Sequence, residues 1–259
     1  MKKGIDVSVH NGTIQWEQVK NSGIDFVMIR AGYGQNNIDR QFKRNIEECN
    51  RLNIPVGIYW FSYAQTPESA LKEAEFCIEA IKNYKISYPV CYDFEYASSK
   101  YLKQKGINVT AELLRQNATT FLKRIEKEGY YAMLYTNKDY YINVFKPLSN
   151  QFDIWYAQYG VSKPEISCGI WQKNSVGKIN GIYTNVDLNI SYKDYETITK
   201  PKVTEEDNTK NTVLKYIDAA FKVLNGHYGN GEQRKKKLSS DGFDYSLIQS
   251  IVNIIKTYE

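Results

Sequence analysis

Between residues 88 and 95 the chain reads Tyr88-Pro89-Val90-Cys91-Tyr92-Asp93-Phe94-Glu95, an apolar run that ends in two acids. If this segment is extended, Asp93 and Glu95 project from the same face, because strand side chains alternate with a period of two. Their Cα atoms then lie roughly 6.5–7 Å apart, which lets two carboxyl groups act on one small group, one protonated and one ionised. The alternative is a surface strand end with two solvated acids.

Further strand-like runs and helix-like stretches alternate along the chain. The predicted strands are Gly4–Val9, Phe26–Ala31, Pro55–Tyr63, Tyr88–Phe94, Tyr130–Tyr135, Ile154–Tyr159, Gly169–Trp171 and Val186–Ile190. The predicted helices are Phe42–Leu52, Pro67–Asn83 and Thr110–Glu128, the last with Thr110 as its N-cap.

This alternation predicts an α/β fold, an irregular (β/α) barrel with eight strands. We expect fewer than eight helices in the barrel, because the connections after about Asn143 are too short to hold full helices. An open doubly wound sheet is the alternative architecture. The chain has no Gly-rich phosphate loop to support a nucleotide site there.

Acids recur at the ends of this predicted barrel. In a barrel of parallel strands the catalytic residues gather at the carboxyl ends. Asp6 lies in the first predicted strand, Asp93 and Glu95 end the fourth, and Asp187 lies in the last, which adjoins the first when a barrel closes. Four acids on one rim raise one another's pKa, an arrangement more typical of function than of structure. Taken singly, Asp6 could instead cap a turn or pair with Arg30, and Asp187 could belong to a turn.

The composition narrows the class of protein. A net charge of +5 over 259 residues, with Lys and Arg spread along the chain, does not indicate nucleic-acid binding. No apolar run approaches the 18 or more residues needed to span a bilayer, and the first residues lack the apolar region of a secretory signal. The four cysteines are widely spaced, so we predict buried free thiols. With only two histidines besides, we expect no metal site, and we expect no cofactor.

An ordered set of short motifs resembles the glycoside hydrolase family 25 lysozymes, the cell-wall muramidases common among phage endolysins. The resemblance covers about residues 3–192, with a small departure at Lys173, where an aromatic residue is usual. The matching segments are Gly4-Ile5-Asp6-Val7-Ser8, Asn11-Gly12, Trp16, Val56-Gly57-Ile58-Tyr59-Trp60-Phe61, Tyr92-Asp93-Phe94-Glu95, Asp153-Ile154-Trp155-Tyr156-Ala157-Gln158-Tyr159, Ile170-Trp171-Gln172, Gly181-Ile182 and Val186-Asp187-Leu188-Asn189.

The resemblance implies hydrolysis of the β-1,4 bond between N-acetylmuramic acid and N-acetylglucosamine in peptidoglycan. Carried over by position, Glu95 is the general acid, which requires a raised pKa. Asp93 either orients the 2-acetamido group of the muramyl sugar as an internal nucleophile or acts as the base for water. Asp6 and Asp187 fix those carboxyls and place negative charge opposite a developing oxocarbenium ion. Our hypothesis is substrate assistance with Asp93.

Aromatic side chains complete the predicted cleft, because their rings stack against sugar faces. We expect Tyr59, Tyr135 and Trp171 to contact the substrate, with Gln158 as a hydrogen-bond partner. Phe61 and Trp155 are further candidates. The alternative is that these rings pack the barrel. The lone His10 is more typical of a hydrogen-bonded structural residue.

The composition of the sequence becomes more polar after the predicted barrel. We predict a catalytic domain over residues 1–195, a polar linker over 196–212 and a small three-helix bundle over 213–259. In the bundle, Asn225-Gly226 is the expected end of the first helix and Asp244 the N-cap of the third.

This C-terminal stretch resembles the cell-wall-binding repeat called CW seven, on Gly226-His227-Tyr228-Gly229-Asn230-Gly231, Arg234, Leu238, Gly242-Phe243-Asp244-Tyr245, Gln249 and Val252-Asn253. The resemblance implies binding to peptidoglycan, and we expect Arg234 and Tyr228 to be wall contacts. A single small module predicts self-association or help from a partner.

Three classes of function stay open at this point: a muramidase with a wall-targeting tail, a hydrolase that cuts after N-acetylglucosamine, and a catalytically silent wall-binding protein. The expected partner is bacterial peptidoglycan, with neither nucleic acid nor membrane. Lacking a predicted signal peptide, an endolysin-type enzyme is expected to be made in the cytoplasm and to reach the wall through a membrane lesion.

Overall fold

A computed structural model describes residues 1–199 and 205–257 of the chain. The chain divides into two compact units, Met1–Lys200 and Pro201–Glu259. Among the described helices none is long and apolar enough to cross a bilayer.

The first unit is a closed barrel of eight strands, which confirms the predicted architecture. Around the barrel the strands run β1-β2-β4-β5-β6-β7-β8-β9, and β9 pairs back to β1. A ninth strand, β3, forms a hairpin with β2. The strands are β1 (Lys2–Val7), β2 (Phe26–Tyr33), β3 (Asn37–Ile38), β4 (Val56–Phe61), β5 (Val90–Asp93), β6 (Ala132–Asn137), β7 (Asp153–Ala157), β8 (Ile170–Gly177) and β9 (Val186–Ser191).

Seven α-helices lie within residues 1–199, in line with the expected number below eight. The helices are α1 (Trp16–Asn21), α2 (Phe42–Arg51), α3 (Pro67–Ile81), α4 (Tyr96–Gln104), α5 (Ala111–Lys127), α6 (Lys138–Tyr140) and α7 (Tyr195–Ile198). The three predicted helices correspond to α2, α3 and α5. Thr110 caps α5 as predicted, because its hydroxyl accepts the Leu113 N–H at 3.1 Å.

The direction of the last strand corrects the assumption of a wholly parallel barrel. Strand β9 runs antiparallel to both β1 and β8, whereas the other barrel neighbours pair in parallel. The connection from β8 to β9 spans residues 178–185 without a helix, and a connection this short joins antiparallel strands. Asp187 therefore lies at the start of its strand, at the same rim as the end of β1.

Large side chains fill the barrel and close its amino-terminal end. The carboxylate of Asp153, at the start of β7, accepts hydrogen bonds from the Tyr131 and Tyr195 hydroxyls and from the Lys193 ammonium. Fully buried Tyr195 thus plugs this end, and the opposite rim is left open for a site. The interior layer consists of Phe26, Met28, Tyr59, Tyr88, Cys91, Met133, Tyr135, Trp155, Ala157, Ile170 and Tyr195.

The second unit contains α8 (Glu205–Leu224), α9 (Gly231–Ser240) and α10 (Tyr245–Thr257) around a small apolar core. Helix α8 ends as predicted, with Gly226 at φ +81° and the His227 N–H donating to the Lys222 carbonyl. Asp244 caps α10 by accepting the Leu247 N–H at 2.9 Å.

The predicted linker, 196–212, needs correction where it is described. Residues 200–204 lie outside the described residues, and α8 begins at Glu205, so residues 205–212 are helical. The polar composition suggested a linker, but the stretch opens with three acids in a row, which favour a helix N-terminus through the helix dipole.

Candidate active site

A pocket of about 400 Å³ opens at the rim where β1, β4, β5 and β6 end and β9 begins. All four predicted acids line it: Asp6, Asp93, Glu95 and Asp187. The barrel therefore brings together side chains that are up to 181 residues apart in the sequence (187 − 6). We call this cavity the acidic pocket.

Asp6 and Asp187 are direct cross-strand partners in the β1–β9 ladder. Like charges placed opposite one another on a sheet destabilise it. Burial, followed by the charge of Asp187, raises the pKa of Asp6 to about 8. Burial also raises the pKa of Asp187 to about 6. At least one proton is thus held in this pair near neutral pH.

Two amide side chains hold Asp6 in place. The Gln172 Nε2 and Asn189 Nδ2 groups both donate to Asp6 Oδ2, at 2.9 and 2.7 Å. These bonds favour the ionised carboxylate and oppose the effect of burial on the pKa. Because both donors reach the same oxygen, the Asp6 carboxyl has a fixed orientation.

The two amides are themselves oriented by aromatic donors. Gln172 Oε1 accepts the Tyr135 hydroxyl at 3.0 Å and the Tyr159 hydroxyl at 2.6 Å. Asn189 Oδ1 accepts the Trp155 indole N–H at 2.8 Å. The network therefore fixes which end of each amide faces Asp6.

Asp93 is the last residue of β5 and is 4% exposed. Among the described residues its Oδ1 atom has no hydrogen-bond partner. Burial, and then the charges of Glu95 and Asp6, raise the pKa of Asp93 well above its ordinary value, against the opposing charge of Arg30. An unpartnered buried oxygen at the base of a pocket is available to a ligand donor.

Glu95 directly precedes α4 and occupies its N-cap position. The positive end of the helix dipole favours an ionised carboxylate there, but burial and the charge of Asp187 outweigh it and raise the pKa of Glu95. Glu95 and Asp187 are half-buried, whereas Asp6 and Asp93 are buried. A substrate therefore meets Glu95 before it meets Asp93.

Four of the six predicted substrate contacts line the acidic pocket: Tyr59, Phe61, Tyr135 and Trp155. The Trp155 ring packs edge-on against Tyr135 and Tyr59, with centroids 4.8 and 5.8 Å away. These three rings are at most 9% exposed, so they form an apolar floor beneath the acids.

Trp171 and Gln158, the other two expected substrate contacts, are not among the residues that line the acidic pocket. Trp171 packs in the layer outside the barrel, and its indole N–H donates to the Gln158 carbonyl at 2.8 Å. The Gln158 side chain accepts the Glu165 N–H at 3.0 Å. Strand alternation is the reason, because Ile170 and Gln172 point into the barrel and Trp171 between them points out.

Several pocket residues were not predicted. Gln172 could have been found from its alternation with Ile170, and Asn189 from sharing a strand face with Asp187. Tyr159 and Asn185 lie in loops, where no sequence period places a side chain. Arg30 appeared as a possible partner of Asp6, but its Nε donates to Asp39 Oδ2 at 2.8 Å instead.

In the second unit the two predicted wall contacts make internal bonds. Tyr228 is buried in the helical core, and its hydroxyl donates to Asp241 at 2.9 Å. The Arg234 guanidinium donates to the Gly229 carbonyl, to Gln249 Oε1 and to Asn230 Oδ1.

An acidic pocket with an aromatic floor at the open rim of an α/β barrel is typical of one class of enzyme, the glycoside hydrolases. Comparison with known proteins narrows the class. Residues 5–182 match the family described as Glycosyl hydrolases family 25, and residues 218–255 match the CW_7 repeat. The chain belongs to glycosyl hydrolases family 25.

Individual proteins are similar to this chain at modest sequence identity. The autolytic lysozyme of Clostridium acetobutylicum is 26% identical over 72% of this chain and 54% of its own length. The lysozyme of Streptococcus phage Cp-7 is 25% identical over 97% of this chain and 69% of its own. A family 25 glycosyl hydrolase from Bacillus anthracis has a similar structure, with 27% identity, a TM-score of 0.65, and coverage of 77% of this chain and 92% of that one. The chain thus spans about half the length of the clostridial relative.

Proposed function

We propose that this chain is an endolysin-type lysozyme that hydrolyses the β-1,4 bond between N-acetylmuramic acid and N-acetylglucosamine in bacterial peptidoglycan. The observation that carries the proposal is the convergence of Asp6, Asp93, Glu95 and Asp187 on one pocket. Family membership and relatives named lysozymes support it.

Glu95 is the proposed general acid. A general acid must hold its proton near the working pH and must reach the leaving oxygen. Burial and Asp187 raise the pKa of Glu95, and the half-buried side chain faces the pocket. Protonation of the glycosidic oxygen by Glu95 would let the bond break toward an oxocarbenium-like state.

Asp93 is the proposed partner of the 2-acetamido group. Its unpartnered Oδ1 can accept the acetamido N–H, which would orient the carbonyl oxygen toward the anomeric carbon. Asp6, fixed by Gln172 and Asn189, and Asp187 beside it would place negative charge near the developing cation. Retention by this route gives a β-anomer first, so an α-anomer as the first product would exclude it.

The bond that is cut is tested by the new ends it leaves. Purified peptidoglycan is digested, the new reducing ends are reduced with borohydride, and the products are weighed by mass spectrometry. Reduced muramic acid is the expected product. Reduced glucosamine would show a glucosaminidase instead, and no new ends would indicate a silent binding protein.

Glu95→Gln is the matched variant for this experiment. It keeps the shape of the side chain but has no acidic proton to donate, so we expect the rate at which new reducing ends form to fall by roughly 10²–10⁴-fold. Near-normal activity in a folded Glu95→Gln protein would contradict the role of Glu95.

The C-terminal helices are proposed to bind the cell wall, on the support of the CW_7 match. The bonds of Arg234 and Tyr228 support a role in shaping that module. Exposed apolar residues on α8, such as Ile217 and Phe221, support the further proposal of self-association. We also propose that the enzyme acts on the wall after release through a membrane lesion.

A further inference from the structure

A second pocket of about 420 Å³, here called the side pocket, adjoins the acidic pocket. The two cavities share the lining residues His10, Arg30 and Phe61 and so lie side by side; together they are called the groove. Arg40 and Tyr63 are among the other residues that line the side pocket. A substrate bound at the acids therefore has room to place a substituent there.

The side pocket has the opposite charge to its neighbour. Its one lining acid, Asp39, accepts the Arg30 Nε–H at 2.8 Å and the Val9 N–H at 3.0 Å on Oδ2, and the Gln41 N–H at 2.9 Å on Oδ1. Arg30 thus neutralises Asp39. Arg40 is exposed and makes no ion pair with any residue that the structure describes. One unpaired guanidinium is left facing the groove.

Aromatic rings form the apolar part of the same pocket. Tyr63 packs against Phe61 and edge-on against Tyr33, with ring centroids 5.2 and 6.4 Å apart. The Arg30 guanidinium lies 5.7 Å from the centre of the Tyr33 ring. This combination suits a ligand with a short apolar portion and a carboxylate, since guanidinium binds carboxylate in a two-pronged geometry.

We propose that the side pocket is a subsite for the carboxylate-bearing substituent of muramic acid, with Arg40 as the specificity-determining residue; this inference rests on the proposed function. The glycan sugars are neutral, and the anionic groups are the lactyl carboxyl on muramic acid or the carboxyls of a peptide attached to it. The negative charge that remains in the acidic pocket repels such a group and Arg40 attracts it, so the charge difference along the groove sets the orientation of the glycan strand.

The test compares Arg40→Gln with two matched variants on two walls. Arg40→Lys keeps the charge, and Lys72→Gln removes one exposed charge from α3, away from the groove. The substrates are native peptidoglycan and the same wall with its carboxyls amidated by carbodiimide coupling. Initial rates at which new muramic acid reducing ends form, measured over a range of wall concentrations, give kcat and KM for each protein on each wall.

On native wall we expect Arg40→Gln to raise KM about threefold to tenfold with kcat nearly unchanged, because a binding interaction is lost. Arg40→Lys should keep most of the affinity, and Lys72→Gln should behave as the unmodified protein. On amidated wall the unmodified protein should show the raised KM, and Arg40→Gln should add nothing further.

A third substrate separates the two sources of the carboxylate. This substrate is wall stripped of its peptides by an amidase. The amidase cuts the amide bond between peptide and lactyl group, so the stripped wall loses the peptide carboxyls and gains a free lactyl carboxyl on each muramic acid that carried a peptide. If the Arg40→Gln effect persists or grows there, the side pocket accepts the lactyl carboxyl; if it disappears although the lactyl carboxyls are free, the peptide carboxyls are the ligand. Either result supports the subsite.

Equal KM for Arg40→Gln and Lys72→Gln on native wall would overturn the subsite, as would an equal loss on native and amidated wall. In both cases the unmodified protein still releases muramic acid ends. No release by the unmodified protein from any wall would instead overturn the proposed function, and the subsite with it.

Discussion

At the scale of single residues, the burial and the crowding of carboxyls at the rim have a cost in stability that depends on pH. Asp6 is 6% exposed and lies opposite Asp187. Its pKa is raised from 3.8 to about 8 in the folded chain. Between these values the unfolded chain releases a proton that the folded chain retains, so the free energy of unfolding falls as pH rises.

Asp6→Asn removes this titration while keeping the shape of the side chain. We expect its free energy of unfolding, relative to the unmodified protein, to rise by roughly 1–3 kcal/mol between pH 5 and pH 8. Denaturant unfolding followed by tryptophan fluorescence at the two pH values measures this difference. The exposed control Glu75→Gln should show no such trend, and a difference for Asp6→Asn that is constant with pH would contradict the account.

The sequence predicted the acids better than the groups that hold them. Asp6, Asp93, Glu95 and Asp187 were identified because their motifs follow one another in order along the chain. The partners of Asp6 arise from strand register and from which side of a strand faces inward. Gln172 and Trp171 are adjacent in sequence, and a one-residue difference in alternation decides which enters the pocket.

At the scale of elements, the closure of the barrel's amino-terminal end by Tyr195 and Asp153, here called the plug, depends on a glycine. A Cβ added at Gly169, just before β8, would lie 1.8 Å from the Tyr195 hydroxyl oxygen and 2.7 Å from Asp153 Oδ2. The plug therefore needs a residue without a side chain at this position.

Gly169→Ala should lower the free energy of unfolding by about 1–3 kcal/mol through overpacking. Because Tyr195→Phe removes the nearest atom, the double variant should be more stable than the sum of the single effects predicts, by about 1 kcal/mol. Thermal unfolding of the four proteins measures this cycle. Strictly additive losses would show that Tyr195 is not the group that excludes a side chain.

The strands were predictable as elements, and the direction of one was not. All eight barrel strands carry apolar, β-branched or aromatic runs that mark them in the sequence. The antiparallel course of β9 is encoded in the length of the 178–185 connection, which is a weaker signal than a hydrophobic period. The two-residue strand β3 is too short for any period to show.

At the scale of the whole molecule, the chain carries two compact units. The helix ends at Gly226 and Asp244 could be predicted from local capping rules. The start of α8 could not be predicted, because a polar stretch is typical both of a linker and of an exposed helix.

Arg234 tests whether wall binding depends on the shape of the second unit. Arg234→Ala removes three hydrogen bonds that tie α9 to the Gly229–Asn230 turn and to α10. We expect roughly 1–3 kcal/mol lower stability of that unit and a parallel loss in wall pull-down. The exposed neighbour Lys235→Ala serves as control. Loss of pull-down with an unchanged unfolding transition would instead make Arg234 a direct wall contact.

Burial and the charge of Asp187 are expected to keep Glu95 protonated by raising its pKa, and carboxyl ¹³C NMR of protein labelled at glutamate measures this directly. The signals of Glu95 and Glu73 should both titrate above the ordinary value of 4.5, because burial raises the pKa of Glu95 and raises that of Glu73, on the inner face of α3, to about 7. Glu73→Gln should remove one of these signals and Glu95→Gln the other. If the signal that disappears in Glu95→Gln titrates near 4.5, Glu95 is ionised in the resting enzyme and the account is contradicted.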